Sequence, residues 1–210
     1  MSLIRVLIII IFAHAASAFA DSYDDLLSAT KRGDASAVEG LLRKGLDVNT
    51  TDRGGNTLLM IAIRDDQPGL ARRLLQHSPE LGARNAYGET ALMLAAAKGQ
   101  LDLVKMLVAH GAAINISGWN PLIYAAWRGN TEIVKFLLDQ GAHIDAVSPN
   151  GTSALMMAAR GGHFDTVKLL LWEVADPNIR NDSGATALKW ALEGGNTDIA
   201  DLLKQAGAKD

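Results

Sequence analysis

The residues able to do chemistry are few and scattered. There are five histidines and no cysteine, so thiolate metal sites, disulfides and cysteine nucleophiles are excluded. His77 and His110 offer imidazoles, and Met60, Met93 and Met156 offer thioethers of the kind a soft metal takes. Asp24-Asp25 and Asp65-Asp66 have the residue type for general acid and base work. Side chains adjacent in sequence point apart on a helix, however, so neither pair converges on one reacting atom. The glycines of DRGGN (52–56) are not followed by the lysine and hydroxyl residue of a phosphate loop. No G-x-S-x-G elbow or dinucleotide fingerprint is present either. These residues must therefore be read through the elements that carry them.

Those elements recur. A leucine followed three residues later by alanine and seven later by glycine appears as Leu26, Ala29, Gly33; Leu92, Ala95, Gly99; Leu122, Ala125, Gly129; Leu155, Ala158, Gly162; and Leu188, Ala191, Gly195. Leu59 and Ala62 belong to the same series, with Asp66 in the glycine place. The leucines step by 33, 33, 30, 33 and 33 residues, which is the mark of a repeat array. Each copy carries a second apolar cluster, such as Val104, Leu107, Val108 or Val167, Leu170, Leu171. That spacing makes one helical face. Segments such as GARNAYGET and NIRNDSGAT separate the copies, and their Gly, Asn and Asp content is turn chemistry. Each unit is thus a projecting turn and two antiparallel helices, which buries its apolar face only by stacking on its neighbours.

The period also decides the chemistry. His77 and His110 occupy equivalent places one repeat apart, about 8–10 Å at helix-packing distance, too far to share an ion. The three methionines recur at one repeat position, which argues packing. No metal, cofactor or catalytic residue is expected.

The stretch GETALMLAAAKGQLDLVKMLVAHGAAIN (88–115) resembles the ankyrin repeat family almost position by position. The resemblance covers residues 22–210 and implies an all-α solenoid of six repeats, at approximately 22–51, 52–84, 85–117, 118–147, 148–180 and 181–210. The family's T-P-L-H histidine is replaced by Met60, Met93, Ile123, Met156 or Lys189, and its proline survives as Pro121. Both losses imply a weaker hydrogen-bonded lock. His163 stands where the family often carries histidine.

The resemblance further implies a non-enzymatic module that binds another protein with its turn tips and the exposed face of its first helices. The candidate partner-binding residues are Arg53, Asn56, Arg64, Tyr87, Glu89, Lys98, Trp119, Trp127, Arg128, Asn150 and Arg160. Tyr124 and Trp190 are expected on the buried faces of their helices, and Trp172 in packing at the back. The turn before the fourth copy is three residues short, leaving ISGW between Asn115 and Asn120. Such a notch would expose Trp119 and Trp127 together. Lys31, Arg32, Arg64, Lys98, Arg128 and Arg160 form a basic ladder at the ends of successive first helices, broken by Glu193. The expected partner therefore presents an acidic surface.

The first twenty residues differ from the rest. Arg5 precedes an apolar run from Val6 to Ala13, and Ala18-Phe19-Ala20 offers a cleavage site before Asp21. This is the pattern of a secretory signal, and the apolar run is far short of the ~20 residues that span a bilayer. Residues 1–20 are expected to be removed, leaving residues 21–210 as the repeat domain, without stable membrane insertion. The whole chain of 210 residues has a formal charge of −3; loss of Arg5 leaves 19 basic and 23 acidic residues, or −4. Nucleic acid is not an expected partner at this charge. A leader and no cysteine together point to the periplasm of a Gram-negative bacterium. Two narrower roles compete there: an immunity protein neutralising an exported toxin, and an accessory of an antioxidant enzyme such as catalase.

Overall fold

A computed structural model describes residues 22–209. The expected leader lies outside the described residues. The helices fall into two compact units, one up to Tyr87 and one from Gly88.

The first unit holds α1 (22–32), α2 (Ala35–Arg43), α3 (Leu58–Arg64) and α4 (Pro68–Leu75). Leu26, Ala29, Val38, Leu59, Leu70 and Leu74 are all buried, as the repeat spacing requires. The turn between α2 and α3 is a short hairpin closed by the bridge Thr51 to Thr57.

The second unit holds α5 (Ala91–Ala97), α6 (Leu101–Ala109), α7 (Pro121–Trp127), α8 (Thr131–Asp139), α9 (Ala154–Arg160), α10 (Phe164–Trp172), α11 (Ala187–Glu193) and α12 (Thr197–Gln205). The first helices stack in a row, α5 on α7 on α9 on α11, and the second helices α6, α8, α10 and α12 form a parallel row. No strand is present among the described residues, where pairing is limited to isolated bridges such as Val147 to Ser153.

Why the first helices begin where they do is visible in their caps. Thr57, Thr90, Asn120, Ser153 and Thr186 each accept the backbone N–H three residues on, at 3.0–3.4 Å, satisfying a donor the helix cannot. The methionine in the family's histidine place keeps part of the lock: Thr90 N–H donates to Met93 Sδ at 3.3 Å. Met60, Met93, Ile123 and Met156 are otherwise core residues, at most 1% exposed.

The second helices start differently. Gln67, Asn130, His163 and Asn196 make no side-chain cap bond in their own helix. Their side chains reach one repeat back to the carbonyls ending the preceding first helix. Gln67 donates to Lys31 O at 3.0 Å, Asn130 to Ala96 O at 2.7 Å, and Asn196 to Ala159 O at 3.1 Å. His163 Nε2 meets Trp127 O at 2.9 Å. Each rung satisfies a carbonyl left open at a helix end, and so locks adjacent repeats in register.

Three positions break the glycine habit of the helix ends. Asp66 holds φ 53° in the place of a glycine, and Ser78 and Val174 hold φ 51° and 67° where Gly111, Gly141 and Gly207 stand in other copies. Aspartate tolerates the left-handed region; a β-branched residue is strained there.

Candidate protein-binding surface

The first helices of the second unit direct two positions per copy to one side, two and five residues after the repeat leucine. In order these are Leu94 and Ala97, Tyr124 and Trp127, Met157 and Arg160, Trp190 and Glu193, all at least partly exposed except Met157, which is buried. Tyr124 lies between two tryptophans. Its ring centroid is 5.9 Å from that of Trp119 and 6.3 Å from that of Trp127, edge-on to both. Such edge-to-face pairs are favourable beyond the area they bury. Trp119 and Trp127 remain 36% and 45% exposed. The Tyr124 hydroxyl donates to Glu89 Oε1 at 3.1 Å. Burial pushes this phenol up to about 12, and the Glu89 carboxylate adds to the shift by its charge and by accepting the hydrogen bond.

Arg128 caps α7 and stacks on Trp127, with Cζ 5.2 Å from the ring centroid. Arg160 ends α9 and stacks across the repeat junction on Trp190 at 5.0 Å. Both are exposed, and neither is ion-paired among the described residues. The site therefore joins aromatic faces to two cationic heads held by those faces.

The remaining candidates separate. Glu89 belongs to this cluster through Tyr124. Lys98 is exposed at the end of α5. Asn150 is exposed on a turn, where its side chain accepts from Ser148 Oγ. In the first unit, Arg53 is exposed on its turn and Tyr87 is 83% exposed. Arg64 is held by Asp65 at 3.0 Å and by Asp52 at 3.8 Å, so its charge is largely spent within its own unit.

Several expectations are corrected. Asn56 is not an exposed turn tip: it is 8% exposed, its amide donates to both Asp52 oxygens, and its oxygen accepts from Asn85. That network, with Gly54 and Asn56 backbone donors, overcomes burial and holds the Asp52 carboxyl below its usual range. Trp190 and Tyr124 are half-buried rather than core, because the second position after the leucine faces the open side of the row. Trp172 does not pack at the back; it is 82% exposed, as is Val174. The basic ladder is staggered: Lys98 and Arg128 occupy helix caps, whereas Arg64 and Arg160 are the last helical residues.

The short turn borders a cavity of about 290 Å³ whose lining includes Asn115, Ile116, His143 and Val147, with Gly118 and Asn120 on either side of Trp119 but neither indole in the lining itself. Tyr124 is what joins the two indoles. Its role was missed because a half-buried tyrosine reads as core in a periodic pattern. Trp127 and Tyr124 being three residues apart was the signal available.

Among the described residues, no cluster of three or more His, Asp or Glu side chains could hold a metal. No helix among them is long and apolar enough to cross a membrane.

The family model described as ankyrin repeats (three copies) matches residues 26–117, 70–148 and 122–210. The crystal structure of the human ASB11 ankyrin repeat domain superposes with a TM-score of 0.78 at 26% identity, covering 88% of this chain and 84% of that one. Ankyrin repeat and SAM domain-containing protein 6 of Rattus norvegicus is 40% identical over 101 residues, which is 46% of this chain and 10% of the relative. A putative ankyrin repeat protein of Rickettsia bellii is 28% identical over 123 residues, 54% of this chain and 35% of the relative. Glycerophosphocholine phosphodiesterase GDE1 of Candida albicans is 34% identical over 121 residues but is matched along 10% of its length. The chain thus spans a minor part of these relatives.

Proposed function

Since this chain belongs to the ankyrin repeat family, whose repeats mediate binding to other proteins, we propose that it acts as a non-enzymatic interaction module. The partner docks on the Trp119, Tyr124, Trp127 and Arg128 surface of the second unit. The observation that carries the reading is the pair of half-exposed indoles fixed edge-on to one tyrosine. Tryptophan, tyrosine and arginine dominate binding energy where they cluster, and holding such rings in place lowers the entropy lost on docking. The unpaired arginines favour an acidic partner surface.

The place of action is the periplasm, reached through the leader at residues 1–20; its short apolar run and Ala18-Phe19-Ala20 end support this. Within that compartment the protein scaffolds, stabilises or inhibits its partner. Immunity to an exported toxin and support of an antioxidant enzyme such as catalase are the narrower roles to compare.

The test is a photo-crosslinking amino acid placed at Trp119 in the exported protein, with the adduct identified by mass spectrometry. One adduct that disappears on Trp127→Ala, and persists on Trp172→Ala, supports the reading. Adduct formation indifferent to Trp127 would reject this surface.

A further inference from the structure

We infer that the occupant of this surface is an extended acidic segment of the partner, with two carboxylates about four to six residues apart gripped by Arg128 and Arg160. The inference rests on the docking reading above and adds the shape and spacing of what docks.

The two arginines are alike in a way the rest of the ladder is not. Each lays its guanidinium on an indole, Arg128 on Trp127 and Arg160 on Trp190. Arg64, by contrast, spends its charge on Asp52 and Asp65. A guanidinium held over an aromatic ring still has N–H donors to offer, and its fork matches a carboxylate in a bidentate pair. Stacking also restricts the side chain beforehand, so less rotamer freedom is lost when the carboxylate arrives.

Distance sets the spacing. Trp127 lies on α7 and Trp190 on α11, with α9 packed between those helices. Two packing steps of about 8–10 Å separate α7 from α11, and Arg160 reaches toward Trp190 from α9, one step short of α11, so the two guanidinia stand roughly 10–20 Å apart. An extended chain advances about 3.3 Å per residue and alternates its side chains, so residues on one face fall at even separations. Carboxylates about four to six residues apart, ~13–20 Å, match that range. Between the stacks the floor is Met157, 6% exposed and nearly flush, which suits a strand lying flat with apolar side chains directed down. Negative groups bound the strip: Glu89 lies against Tyr124 at one end, and Glu193 ends α11 at the other. A carboxylate displaced beyond Arg160 meets the like charge of Glu193, which fixes that end of the register.

The experiment uses the purified protein and labelled glycine–serine peptides with glutamates about four or six residues apart and leucines on the same face between them. Fluorescence anisotropy should show binding roughly tenfold tighter than to a peptide of equal composition with adjacent glutamates. Arg128→Gln and Arg160→Gln should each remove most of that advantage, whereas Arg64→Gln should leave it intact. Circular dichroism checks that the variants are folded, and Arg160→Lys, which keeps the charge without the fork, should restore only part of the affinity.

Equal affinity for the spaced and the adjacent-glutamate peptides would overturn the inference, as would no saturable binding below about 1 mM. So would tighter binding of a helical peptide with glutamates about three turns apart, ~16 Å along its axis. In those cases the Trp127-dependent adduct still judges the docking surface independently.

Discussion

The guanidinium of Arg160 lies over the indole of Trp190, 5.0 Å from Cζ to the ring centroid and across a repeat junction. A tryptophan that covers its own helix would be a core residue; this one holds a cation contributed by the preceding copy. The two classes of tryptophan in the chain are therefore distinguished by what they hold up. Trp127 and Trp190 carry arginines, whereas Trp172 stands 82% exposed.

Alanine at these sites should separate folding from binding. Trp119→Ala and Trp127→Ala should change stability by no more than about 1 kcal/mol, yet cost roughly 2–4 kcal/mol in partner binding. Trp190→Ala should cost about 1–2 kcal/mol, short of the ~3–5 expected of a fully buried ring. Thermal melts and a binding titration on the same variants check this; unfolding by Trp127→Ala would make the indole structural.

Tyr124 should reveal itself at high pH. Its folded pKa of about 12 lies above the ordinary 10.0, so the folded state retains a proton that the unfolded chain has lost. This contribution is complete below pH ~10 and disappears as pH rises from there through ~12. A native absorbance titration should contain a phenolate step near 12 that Tyr124→Phe removes, and the variant should lose less stability over that window.

The register rung at His163 should accept its counterparts from other copies. His163→Ala breaks the bond to Trp127 O and should cost about 1 kcal/mol. His163→Asn should recover most of it, since Asn130 and Asn196 make the same bond. The imidazole also fills the space beside Gly129, where an added Cβ would meet Nδ1 at 2.5 Å. Gly129→Ala is accordingly expected to destabilise strongly, and denaturant titration compares the three.

Val174→Gly should raise stability by about 1 kcal/mol, moving the melting temperature up by roughly 2–4 °C. The valine sits at φ 67° and is 82% exposed, so its removal relieves strain without opening a cavity. A lower melting temperature would show that its side chain packs in a way the static geometry does not contain.

The sequence by itself determined the unit, its period and its core. Leucine, alanine and valine recur at helical spacing, and burial in a stacked array depends only on which side of each helix is apolar; Leu92, Ala95, Val104 and Leu107 are buried for that reason. It also marked Trp119, Trp127, Arg128 and Arg160 as exposed, because they fall outside that apolar stripe. Tertiary structure decided what those residues do. Asn56 occupies a turn tip like the others, yet Asp52 and Asn85 consume its polar atoms. Arg64 and Arg160 both end first helices, yet one pairs with carboxylates and the other with an indole. Tyr124, Met157 and Trp190 share a repeat position, yet Met157 is buried while the two aromatic rings stay half-exposed. A periodic pattern specifies the face of a helix, but partnership across that face depends on side chains about thirty residues away, and the period treats those as equivalent.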